Sequence, residues 1–176
     1  MDKTRSVIFC KECQVHWIVD HEPTGCIDRG HAHQSFEVHL HHSQVVLPDG
    51  TAVTAVSFDA LDPYARGQQP DYGLYLDRKW EPPWPHEYLD WPDFGVPDSS
   101  AIVISRLRST LQRAQDGESV EIGCLGGHGR TGTALACMAV LTGCLPDKAV
   151  EWVRSHYCPQ AVETFAQEMF VLGLLT

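Results

Sequence analysis

Cys124 and Arg130 are separated by five residues in the stretch Val120-Glu-Ile-Gly-Cys-Leu-Gly-Gly-His-Gly-Arg-Thr-Gly-Thr133, which carries glycine at positions 123, 126, 127 and 129. Glycines this crowded let a backbone curl into a nest whose N–H groups converge on one point. A helix beginning just afterwards adds its positive end to the same point. The result is a site for a tetrahedral dianion with a sulfur at its floor. The same field favours thiolate over thiol at Cys124. Arg130 can grip two phosphate oxygens with its planar fork, and Thr131 can donate a hydrogen bond that steadies the thiolate as a leaving group. Leu125, Gly126, Gly127, His128, Gly129 and Arg130 are therefore the candidate phosphate-binding set. A structural cysteine before a tight strand-to-helix turn would account for neither the glycines nor the Arg-Thr-Gly ending.

Several elements must hold this loop. Val120 and Ile122 read as a buried strand entering it. The run from Ala134 to Leu141 is apolar nearly all round, which predicts a buried central helix ending near Gly143. Pro146 starts another helix, with Ala149, Val150 and Val153 on one face. Upstream, Asp98 or Ser99 caps a helix with Ile104, Leu107, Leu111 and Ala114 at helical spacing, stopped by Asp116-Gly117. Val45–Leu47, Pro48-Asp49-Gly50 and Thr51–Phe58 predict a hairpin. Gly73 to Leu76 reads as a short strand, and Phe36, Val38 and Leu40 alternate as one face of another. The tract from Trp80 to His86 is proline-stiffened and reads as an extended connector.

Cys-x5-Arg, preceded about thirty residues earlier by Trp91-Pro92-Asp93-Phe94-Gly95-Val96-Pro97, resembles the signature of the cysteine-dependent protein-tyrosine phosphatase superfamily. Residues 123–170 are most similar to its small atypical dual-specificity members, and the resemblance spans about residues 71–176. It implies an α/β fold: a central mixed sheet with the Cys124 strand inside it, flanked by helices. It implies hydrolysis of phosphate monoesters through a phosphocysteine, with no cofactor needed for catalysis. Asp93 would be the general acid, then the base that activates water, on a loop hinged by Trp91 and Pro92 with Gly95 giving it room to move. The stretch Ala161-Val-Glu-Thr-Phe-Ala-Gln-Glu-Met-Phe170 is similar to the second conserved loop of the superfamily, which makes Gln167 and Glu163 the groups that position that water. Two departures stand out. Gly123 occupies the place of the histidine that usually precedes the nucleophile, and no equivalent is found of the tyrosine loop that deepens the pocket of larger tyrosine-specific members.

The whole chain sets further bounds. Its 176 residues suffice for one domain with a full core. Thirteen Lys and Arg against twenty-three Asp and Glu give a net charge of −10. That argues against nucleic acid or an anionic membrane surface as partner, and no apolar run is long enough to span a bilayer. The expected partner is a phosphorylated protein or a small phosphate ester. Seven cysteines with a thiolate-type site suggest a reducing compartment, the cytoplasm. Residues 1–33 read as a separate small segment ahead of a phosphatase domain over 34–176. Cys10 and Cys13 have the spacing of a zinc knuckle, and Cys26 with His31 supplies a second pair, for which His21 or His33 could substitute for His31. Apolar residues are few there, so a structural zinc would explain how the segment folds.

Overall fold

The computed structural model describes residues 3–10, 15–18, 33–57, 68–78 and 81–175. The chain divides into two compact units, Met1–His41 and His42–Thr176. In the first, β1 (Lys3–Cys10) pairs antiparallel with both β2 (Val15–Ile18) and β3 (His33–Leu40), giving the order β2-β1-β3. The alternating strand around Phe36–Leu40 therefore starts earlier than its pattern suggested. It belongs to this unit, so the division falls after His41 rather than after residue 33. Cys10 closes β1, opposite Val15 and His33. Cys13, Cys26 and His31, the other expected zinc ligands, lie outside the described residues, as does His21.

The second unit is built on a five-stranded mixed sheet. It comprises β4 (His42–Val46), β5 (Ala52–Ser57), β6 (Tyr72–Tyr75), β7 (His86–Tyr88) and β8 (Val120–Cys124), in the order β4-β5-β8-β6-β7. The expected hairpin forms: β4 runs antiparallel to β5, while β8 is parallel to both of its neighbours. The tract read as a connector ends on the first residue of β7, which pairs parallel with β6 through Gly73↔His86 to Tyr75↔Tyr88. As the central strand, β8 is buried along its whole length, as expected for a parallel strand covered on both faces.

Helices α1 (Ser100–Gln115), α2 (Gly129–Leu141), α3 (Pro146–His156) and α4 (Phe165–Leu172) complete the unit. Ser99 caps α1 by accepting from the Ile102 N–H, and the chain leaves that helix through Gly117. The α2 helix is buried from Gly129 to Val140. It touches α1, α3 and α4, and these helices pack together around it. Leu74 and Ile122 point into that core, together with Leu107, Leu135 and Val153. Side chains alternate across a strand, so the other face carries Tyr75, packed with Val56 and Trp84. There the Tyr75 hydroxyl donates to the buried Glu121 carboxylate at 2.7 Å and accepts from Trp84 Nε1 at 2.7 Å, the kind of partnering a buried carboxylate requires.

Candidate active site

The loop after β8 sits at the carboxyl end of a central parallel strand, where open α/β sheets bind ligands. Cys124, Leu125, Gly126, His128, Gly129 and Arg130 line one cavity of about 170 Å³ there, joined by Asp93, Phe94 and Glu163. Residues seventy positions apart in sequence thus meet around one sulfur. Cys124 is buried at the floor, and the Thr131 hydroxyl donates to its Sγ at 3.0 Å. The nest contains one positive φ, at Gly127 (75°), where any other residue would be strained. Gly127 itself does not line the cavity; its carbonyl accepts from the Tyr157 hydroxyl at 2.7 Å.

Arg130 is fixed from behind. Its Nη1 donates to Asp77 Oδ2 at 2.9 Å and to the Leu76 carbonyl at 3.3 Å, and its Nη2 lies 3.3 Å from Asp93 Oδ1. Side-chain exposure separates the two carboxylates: 10% for Asp77 and 63% for Asp93. Asp77 is therefore the buried anchor, and Asp93 the exposed partner, carried on the loop that begins at Trp91. The sequence reading missed Asp77. Its one signal was position, at the carboxyl end of a strand adjoining β8.

The acid loop is tied to the last helix. Trp91 is buried, packs edge-on against Phe170 with ring centroids 5.7 Å apart, and donates from Nε1 to the Gly95 carbonyl at 3.0 Å. Gln167 Nε2 reaches the same carbonyl at 3.4 Å. Gln167 also caps α4: its Oε1 accepts from the N–H groups of Glu163 and Thr164, while Thr164 Oγ1 accepts from the Gln167 N–H. Phe94 sits at φ 56°, a left-handed conformation uncommon for a large side chain. It is held there beside Asp93, at the rim of the cavity.

Glu163 closes the other side. Partial burial and the nearby Asp93 charge push its carboxyl above the ordinary range, opposed by the Gly129 N–H and by Arg130. A Cβ on residue 129 would stand 2.2 Å from Glu163 Oε2, so only glycine admits this approach. Each expected catalytic residue, Cys124, Arg130, Asp93, Thr131, Gln167 and Glu163, is therefore in the cavity or in contact with a group that lines it.

Residues 81–171 match the family described as PTP-SAK, the Swiss Army Knife protein DSP-PTPase phosphatase domain. The chain belongs to this family. It is a phosphatase domain of the dual-specificity and protein-tyrosine type, within the cysteine-dependent superfamily that its motifs resemble. Two uncharacterized proteins of Methanocaldococcus jannaschii are 35% and 34% identical to this PTP-SAK domain over 114 residues. The matches cover 58% of this chain and 74% and 69% of theirs. The active form of Tk-PTP is 31% identical with a TM-score of 0.58, covering 70% of this chain and 90% of that one. Kinase associated phosphatase, at 15% identity and a TM-score of 0.61 over 75% of this chain and 92% of its own, shares the fold.

Proposed function

We propose that this domain hydrolyses phosphate monoesters on protein side chains, phosphotyrosine first and phosphoserine or phosphothreonine second, through a phosphocysteine. The observation that carries the reading is the convergence of Cys124, Arg130 and Asp93 on one cavity, with Thr131 bonded to the sulfur. Cys124 Sγ attacks phosphorus while Arg130 and the nest amides hold the equatorial oxygens. As the P–O bond breaks, Asp93 gives its proton to the leaving oxygen. Water then attacks the phosphocysteine, Asp93 takes its proton, and the S–P bond breaks to restore the thiolate and release phosphate. Gln167 and Glu163 position that water. The chain's own residues perform every step, without a cofactor. Asp93 and Glu163 put two carboxyl groups on the cavity wall, which disfavours a polyanionic ester such as a phosphoinositide. Activity on a panel of phosphopeptides and phospholipids tests the substrate class, and higher kcat/KM on the phospholipids would replace this reading.

Arg130→Lys is not expected to preserve function, because an ammonium cannot supply the planar fork that meets both phosphate and Asp77. The drop in kcat/KM should be on the order of 10²-fold, comparable to losing one oriented donor from an anion hole. Near-wild-type kcat/KM in this variant would remove Arg130 from its assigned role.

In the first unit we propose a structural zinc on Cys10, Cys13, Cys26 and His31. Support comes from the Cys-x2-Cys spacing, which begins at the end of β1, and from the second Cys/His pair. Metal analysis of protein purified without added zinc should give about one equivalent, the content of a single four-ligand site. Cys26→Ser should release it. Absence of zinc, with all cysteines freely titratable in the folded protein, would overturn the assignment.

A further inference from the structure

We infer that Tyr157 is a positioning residue for the anion nest and does from the α3 side a part of the work left open by Gly123. The inference rests on the phosphatase reading of the Cys124 loop. A nest needs its N–H groups turned inward, so the carbonyls of the same peptides must face outward. In a planar trans peptide the C=O of one residue and the N–H of the next point in opposite directions. The Tyr157 hydroxyl lies outside the cavity and holds the Gly127 carbonyl at 2.7 Å. That bond turns the His128 N–H the other way, toward the cavity His128 lines. The next carbonyl, of His128, accepts from the Gly132 N–H at 2.9 Å and from the Val162 N–H at 3.5 Å. The His128 ring is held as well, with Nδ1 3.4 Å from Cys158 Sγ.

Apart from the Gly132 bond, which belongs to α2, these outside contacts come from one short stretch, the end of α3 and the turn after it. That turn is itself clamped. Val162 has φ 63°, a strained conformation for a β-branched residue. Arg154, on α3, donates to the carbonyls of Ala161 and Val162 at 3.0 and 2.9 Å. Strain there persists only because the surroundings fix it, and what is fixed is the placement of Tyr157, Cys158 and Val162 against the loop. On the strand side, Gly123 has no side chain to reach the nest. Its carbonyl is spent on the Leu76 N–H within the sheet.

Tyr157→Phe removes one hydroxyl and keeps the ring. The expected result is a loss of affinity for inorganic phosphate and vanadate, measured by calorimetry, of about three- to tenfold, the worth of one hydrogen bond. KM for an aryl phosphate should rise by a similar factor, with a smaller change in kcat and an unchanged melting temperature. A tyrosine that merely supports the fold would instead lower the melting temperature and the active fraction, leaving anion affinity per active site as it was; that result, or unchanged affinity, overturns the inference. Phosphate and vanadate binding to the unmutated protein is the control that separates the two levels. If neither binds there, the phosphatase reading fails; if both bind equally to wild type and variant, only the role of Tyr157 fails.

Discussion

Serine in place of Cys124 is expected to abolish turnover and leave anion binding intact. The nest amides and Arg130 are untouched by the change, and Thr131 can still donate to the smaller atom. A serine hydroxyl, however, is a far weaker nucleophile than a cysteine sulfur. The buried sulfur is held by the Thr131 hydroxyl, and Asp93 is engaged with Arg130 across the cavity. Loss of a nucleophile that acts as part of a unit costs on the order of 10⁴–10⁶ in kcat. Steady-state hydrolysis of an aryl phosphate reads the loss, and calorimetric titration with inorganic phosphate reads the retained affinity. Equal activity in both proteins would remove the covalent mechanism. Loss of phosphate affinity along with activity would mean that the sulfur shapes the nest rather than attacking from its floor. A domain that binds phosphorylated partners without turning them over would show no activity even before the change.

Asp93→Asn should lower kcat by about 10²–10⁴ on substrates with poor leaving groups, the usual worth of general acid catalysis. The deficit should shrink as the leaving group becomes more acidic, because such a group departs without a proton. With acidic aryl phosphates the second step then limits, and quenching during turnover should trap phosphocysteine by mass spectrometry. A loss of equal size for all leaving groups would move the acid elsewhere. Asp90 is poorly suited to that part. Arg78 holds both of its oxygens, at 2.7 and 3.0 Å, and this hydrogen bonding keeps its carboxyl below the ordinary range.

The chemistry of this domain is more legible in its sequence than its supports are. Cys124, Arg130 and the glycines between them are read at a glance, because a nest demands small residues at fixed offsets. The same holds for the Asp98-Ser99 pair and Gly117, whose local backbone needs set where α1 begins and ends, and for α2, whose lack of a polar face admits only a buried position. Contacts through space leave no such trace. Asp77 looks like any loop aspartate until β6 and β8 are placed side by side, which brings it to Arg130. Tyr157 follows a helix and carries no motif. The three-residue β7 follows directly on a proline-rich tract, and a strand that short shows no period. The Phe36–Leu40 alternation gives a strand but not its partner. Period two fixes which side chains share a face, whereas the pairing with β1 comes from residues thirty positions away.

Gln167 has a further consequence. Its carboxamide is a dipole with a distinct head and tail, and the helix it starts decides which way that dipole faces. Oε1 is committed to two backbone N–H groups at the beginning of α4, so the rotation that would exchange oxygen and nitrogen is closed. Nε2 must then face the acid loop and the cavity, where it stands 3.2 Å from the place a Cβ on residue 129 would occupy. An amide nitrogen carries two hydrogens and no available lone pair. One of those hydrogens reaches the Gly95 carbonyl. Toward an incoming water the residue can therefore only give, orienting the oxygen through its lone pair and never drawing off a proton. In the proposed second step, a helix cap, a matter of folding, would thereby fix Gln167 as a donor toward water and leave removal of the proton to a carboxylate.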